Sequence, residues 1–140
     1  MGRINMKSVV VGGLIAGLVI NISETILNIP VIGAQLEASL KALNLPPVGG
    51  GAVGVFIVGG FALGLVLVWL YAAIRPRFGA GPKTAFLSAV VLWFLAYFWP
   101  SLGLGLMGYM PGKLLTVGVA WGLAEVIIAA LIGGWFYTEA

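Results

Sequence analysis

Two glutamates stand isolated in long apolar runs, and any chemistry in this chain starts from them. Glu24 closes the run Gly17-Leu18-Val19-Ile20-Asn21-Ile22-Ser23-Glu24, and Glu125 sits within Trp121-Gly122-Leu123-Ala124-Glu125. A carboxylate at the centre of a membrane helix costs about 2.5–3.5 kcal/mol on insertion scales, so such residues turn inward and find a partner. At 100° per residue, Gly13, Gly17, Asn21, Glu24 and Asn28 fall within an arc of about 80° on one helix. Gly118, Gly122, Glu125, Ala129 and Gly133 form a matching stripe on another. Both stripes contain a Gly-x-x-x-Gly step, which lets helix backbones approach closely. The spacing predicts that these helices pack face to face and gather Glu24, Glu125, Asn21 and Asn28 into one buried polar cluster. Two carboxyls so placed can share a proton or hold a cation. Read structurally, the same groups only hydrogen-bond between helices, at about 0.6–2 kcal/mol per contact.

Little else in the chain offers chemistry. It has no Cys and no His, so thiolate catalysis, disulfides, Fe–S ligation and imidazole ligands to haem, zinc or copper are excluded. No metal site and no cofactor is expected; a pigment or quinone held by backbone groups, Asn or Glu stays open. Gly103-Leu104-Gly105-Leu106-Met107-Gly108 matches G-x-G-x-x-G, but no strand precedes it and its surroundings are apolar. Asn21-Ile22-Ser23 matches a glycosylation sequon inside an apolar span. Two carboxylates alone, without a nucleophile, metal set or phosphate cradle, make an enzyme the weakest reading.

The elements that position these residues follow from composition. Of 140 residues, 61% are hydrophobic and 8% charged, against roughly 25% charged in soluble domains. That much apolar surface must face lipid or a partner. A span needs roughly 20 apolar residues, and four are found at about 8–29, 52–74, 84–106 and 114–137. The reading is an all-α, integral membrane bundle of four transmembrane helices, with residues 1–140 as one domain. The first span is expected to stop at Pro30 and the second at Arg75-Pro76-Arg77. The third is expected to run past Pro100 as a kinked helix, with the carbonyl of Ala96 unpaired. Residues 31–47 carry Leu36, Leu40 and Leu43 among Gln35, Glu37 and Lys41, which predicts a short amphipathic helix lying on the interface between the first two spans.

Basic residues set orientation. Arg3, Lys7, Arg75, Arg77 and Lys83 fall on one side, Lys41 and Lys113 on the other, which predicts both termini in the cytoplasm. Trp69, Tyr71, Trp135 and Tyr137 then read as aromatic anchors at the inner interface. Arg3 and Lys7 ahead of an apolar run imitate a secretory signal, but the polar interruption at residues 21–28 predicts a retained helix. The net charge of +3 makes no clustered stripe, so no nucleic-acid partner is expected. Arg75, Arg77 and Lys83 form a compact basic loop suited to an anionic lipid headgroup or an acidic partner, or simply to fixing topology. Gly60 and Gly64 supply a third close-approach step, toward a neighbouring helix or another protomer.

The runs Gly17-Leu18-Val19-Ile20-Asn21-Ile22-Ser23-Glu24, Trp69-Leu70-Tyr71-Ala72-Ala73-Ile74-Arg75-Pro76-Arg77 and Trp121-Gly122-Leu123-Ala124-Glu125 resemble those of small bacterial four-span membrane proteins to which no function is assigned. The resemblance covers most of the chain and implies a bacterial inner membrane. Four spans with a glutamate in the first are also similar to the small multidrug resistance transporters, with Glu24 at the matching position. The Trp-Ser-Gly signature of that family in helix three is missing, the loop before the second span is longer, and Glu125 is foreign to the pattern. The leading expectation is a non-enzymatic bundle that acts by association, as an accessory subunit of a larger membrane complex or as a homo-oligomer. The alternative is a dimeric proton-coupled transporter of a small hydrophobic or cationic solute, working through Glu24 and Glu125.

Overall fold

The computed structural model describes residues 2–140. Among them every regular element is helical, in the order α1 (Met6–Ile26), α2 (Gly33–Ala42), α3 (Gly50–Phe78), α4 (Pro82–Trp93), α5 (Trp99–Leu106) and α6 (Gly112–Trp135). A π-helical turn, Leu27–Val31, prolongs α1, and a second, Phe94–Phe98, joins α4 to α5. Four continuous helices are thereby long and apolar enough to cross a membrane: Met6–Val31, Gly50–Phe78, Pro82–Leu106 and Gly112–Trp135.

Three prolines explain how these helices depart from simple expectation. Pro30 does not stop the first helix; it lies inside the π turn, which closes with Ile32 N–H donating to Leu27 O. Pro100 follows the second π turn, in which Trp99 N–H donates to Phe94 O. A proline lacks the N–H and crowds the carbonyl four residues back, and widening the preceding turn by one residue relieves that crowding. Pro76 does not end α3 either, which runs on to Phe78. Near a helix end a proline forfeits one bond only, and the stop comes at Gly79, whose φ of 87° suits glycine.

The core is not spread evenly along the bundle. At the end that carries both termini, Val9, Ala16 and Ile20 of α1 meet Leu67, Val68, Tyr71 and Ala72 of α3. Ala85 and Ala89 of α4, with Val126, Ala129 and Ala130 of α6, complete that cluster. Toward the opposite end α1 buries only Leu27 beyond Ile20, α3 buries nothing before Gly60, and the third span buries nothing beyond Leu92. The bundle is tight at one end and splayed at the other.

The glycine stripes pack differently from the face-to-face arrangement read from their spacing. Gly13 and Gly17 of α1 lie against Leu65, Phe61 and Gly60 of α3, and Gly64 against the backbone of Gly13 and Gly17. The α1–α3 interface is the most extensive in the molecule. What α6 meets on α1 is the face one residue over, where Gly133 abuts Gly12 and Ala16. Gly60 and Gly64 are thus buried within the chain, which removes them from any surface between protomers.

Candidate functional site: a carboxylate pair beside a cleft

Glu125 is 3% exposed and lies about 20 Å along α6 from Gly112 at 1.5 Å per residue, near the middle of a helix of about 36 Å. Its Oε1 accepts a 2.7 Å hydrogen bond from the Tyr97 hydroxyl. Its Oε2 is buried and has no hydrogen-bond partner among the described residues. A buried acceptor left unmade costs about 1–3 kcal/mol, so this atom marks a place where something further can bind. Ser23 and Glu24 of α1 border the same carboxyl. The Ser23 hydroxyl accepts 2.9 Å from Trp121 Nε1.

Tyr97 reaches Glu125 because of the π turn that carries it. The turn lays the ring across Gly122, where a Cβ would collide with it. Gly122 therefore makes room for a phenol, not for a second helix backbone. Trp93, one turn earlier, donates 2.8 Å to the Val119 carbonyl and ties the third span to α6 on the same side.

Glu24 faces a cleft of about 210 Å³ toward the splayed end. Its Oε2 accepts 2.9 Å from Asn28 Nδ2, which also reaches the Glu24 carbonyl at 2.9 Å. Asn28, Tyr97 and Ser101 give the cleft its other polar groups, Leu27, Leu114 and Leu115 line it with apolar surface, and Gly118 leaves space at its wall. Glu125 is not part of the lining and is joined to it through its bond to the Tyr97 hydroxyl. Beyond it, toward the termini, the helices touch through the packed apolar core.

Of the four residues expected in one cluster, Glu24 and Asn28 line this cleft and Glu125 lies beside Glu24. Asn21 does not: its Nδ2 donates 3.1 Å to the Ile57 carbonyl of α3, because residue 21 shares the arc that faces α3. Arg75 is turned inward as well, its Nε 3.9 Å from Glu139 and its guanidinium 5.4 Å from the Tyr137 ring centre. Only Arg77 and Lys83 of the basic loop are exposed. Tyr71 and Tyr137, expected as lipid-facing anchors, are buried at 5% and 4% and pack edge to face, whereas Trp69 and Trp135 are exposed.

Three side chains that complete the site, Tyr97, Ser23 and Trp121, were not singled out by the sequence. Ser23 and Trp121 adjoin the two acidic residues, which is the signal that could have found them. Tyr97 lay hidden in an aromatic stretch, and only the π turn selects it. Among the described residues no three carboxylate, His or Cys side chains come together as a metal site would need. No family model, no curated protein and no solved structure matches the chain.

Proposed function

We propose that this chain is a membrane-embedded carrier that binds a small hydrophobic cation in exchange for a proton at Glu24 and Glu125. One observation carries the reading: two carboxylates from different helices are set beside each other, Glu125 buried and Glu24 opening to a cleft. Among the described residues neither group forms an ion pair with Lys or Arg. A proton or a cation must therefore neutralise them, and the two compete for the same oxygens. The apolar wall suits an organic cation with a hydrophobic body. In the exchange, the cation pairs with the carboxylate as the acid O–H gives up its proton to water, so charge balances.

The five basic residues on the terminal side support a topology with both termini in the cytoplasm of a bacterial inner membrane. The cleft then opens outward. α2, which buries no residue, would lie along the outer interface, with Leu36 lining the cleft. Exposed Arg77 and Lys83 are left to meet anionic headgroups.

The test is proton release. Benzyltrimethylammonium, a permanently charged probe that cannot cross as a neutral amine, is added to purified protein in weakly buffered detergent containing a pH indicator. Saturable acidification is expected, and Glu24→Gln and Glu125→Gln should each abolish it. Binding without proton release would sink the exchange mechanism.

A second reading, association with itself or with larger membrane subunits, is favoured by one feature. Residues 50–58 of α3 are exposed on every face and include Gly50, Gly51 and Gly54, at which an added Cβ would touch nothing. Native mass spectrometry of protein extracted in mild detergent tests it; a monomer throughout would reject it.

A further inference from the structure

We propose that the segment after α6 is a latch that shuts the terminal side of the bundle and must release for the carboxylate site to open that way. The inference rests on the binding-site reading above for its consequence, though not for its test.

The latch is built from polar contacts made by three successive residues. Tyr137 packs edge to face on Tyr71 at 6.0 Å between ring centres, and its hydroxyl accepts 3.2 Å from Asn5 N–H at the start of α1. Thr138 exchanges a 3.1 Å hydrogen bond with Ser8 of α1. Glu139 faces Arg75 of α3, whose guanidinium also lies over the Tyr137 ring. The Tyr71 hydroxyl in turn accepts 3.1 Å from Gly81 N–H, in the turn that enters α4. One short non-helical segment thereby joins α1, α3 and, through Tyr71, the entry to α4.

The layers beneath the latch are suited to parting. Between it and Glu125, α6 presents Ala129, Ala130, Gly133 and Gly134, and α1 meets it with Gly12 and Ala16. These small residues bring α1 and α6 close, with the Val68 side chain of α3 set between Gly12 and Gly133, and packed helices can shear by small slides. The splayed end has no corresponding clasp. The latch itself is not saturated: Arg75 Nη1 is buried without a hydrogen-bond partner among the described residues.

The chain's lack of cysteine makes the test direct. Ala129→Cys reports on the closed core, and Ser101→Cys reports on the cleft. Each is combined with Tyr137→Phe, which removes only the hydroxyl, and with Glu139→Gln, which removes only the charge. Protein in liposomes is treated with a membrane-impermeant maleimide from either side. Ala129→Cys alone should resist labelling from both sides. With either latch variant its labelling from the terminal side should rise at least fivefold, while Ser101→Cys labelling stays unchanged. Ala129→Cys rates within twofold of the parent in both latch variants overturn the proposal. A rise matched at Ser101→Cys would indicate general loosening and would overturn it equally. Neither readout needs a ligand, so failed proton release with successful labelling would reject the exchange reading and leave the latch standing.

Discussion

The contact between α1 and α3 makes a quantitative demand on Gly64. An alanine there adds one methyl, which would run into the Gly13 carbonyl oxygen and the Gly17 backbone, with Gly17 Cα at 2.6 Å. Carbon atoms rest at about 3.5–4.0 Å, so the two helices must part by about 1 Å. The atoms in the way are backbone, and none can rotate aside. Overpacking of this kind costs about 1–3 kcal/mol, against a gain of at most about 1 kcal/mol in helix propensity. Gly59→Ala supplies the control, since a Cβ there meets nothing within 4 Å. Subtracting the two variants removes the propensity term and leaves an overpacking difference of about 1–3 kcal/mol. Reversible unfolding in mixed micelles of rising dodecyl sulfate content, followed by circular dichroism, measures it. Equal stability of the two variants would refute the close backbone approach.

Tyr97→Phe strips Glu125 Oε1 of its donor and should cost about 1–3 kcal/mol in the same unfolding assay; no loss would mean that the Tyr97–Glu125 bond is not formed. Glu125→Gln keeps an oxygen able to accept from Tyr97, so it should hold stability within about 1 kcal/mol while eliminating proton release, and loss of fold would contradict that separation. Pro100→Ala restores the missing N–H and lets the widened turn close to α-helix, swinging Tyr97 by about 100° relative to α4. Its loss of stability should then not add to that of Tyr97→Phe in the double variant, and full additivity would argue against the coupling. Asn21→Leu removes one bond to the Ile57 carbonyl and should cost about 0.6–2 kcal/mol without altering proton release; any change in release would bring Asn21 back into the site.

The sequence was informative where a single physical constraint acted alone. Length and apolarity marked four helices because nothing else hides so many apolar residues. The acidic residues marked the site because buried charge is rare. It was ambiguous where one helix serves two neighbours. The arc holding Gly13, Gly17, Asn21, Glu24 and Asn28 is real as a pattern, yet Gly13, Gly17 and Asn21 face α3 while Glu24 and Asn28 open to the cleft. Periodicity gives the angle of a residue on its own helix and not the identity of the helix across from it. Prolines misled for a related reason. Pro30 and Pro76 read as stops, but the chain absorbs the lost hydrogen bond by a π turn or at a helix end, whereas the third span runs past Pro100 as its length required. The π turn before Pro100 then sets which aromatic ring points inward, and no count at 100° per residue would have chosen Tyr97.

The distribution of charge bears on the exchange proposed for this pair. Among the described residues Glu37 has Lys41 at 2.9 Å and Glu139 has Arg75 at 3.9 Å, both near the ends of the bundle. Around Glu24 and Glu125 the donors are an amide, a phenol and the bordering Ser23 hydroxyl, all neutral. A guanidinium at either position would hold the carboxylate ionised and close its oxygens to other cations, since removing one partner of a buried ion pair costs about 3–5 kcal/mol. Neutral donors impose no such lock. They accept the acid and the carboxylate with little rearrangement, because each retains an oxygen to bond in either state. The charge of this site is therefore left to whatever enters through the cleft. Placing a lysine at Gly118, on the cleft wall, would supply a fixed cation and should abolish probe binding even though both glutamates remain.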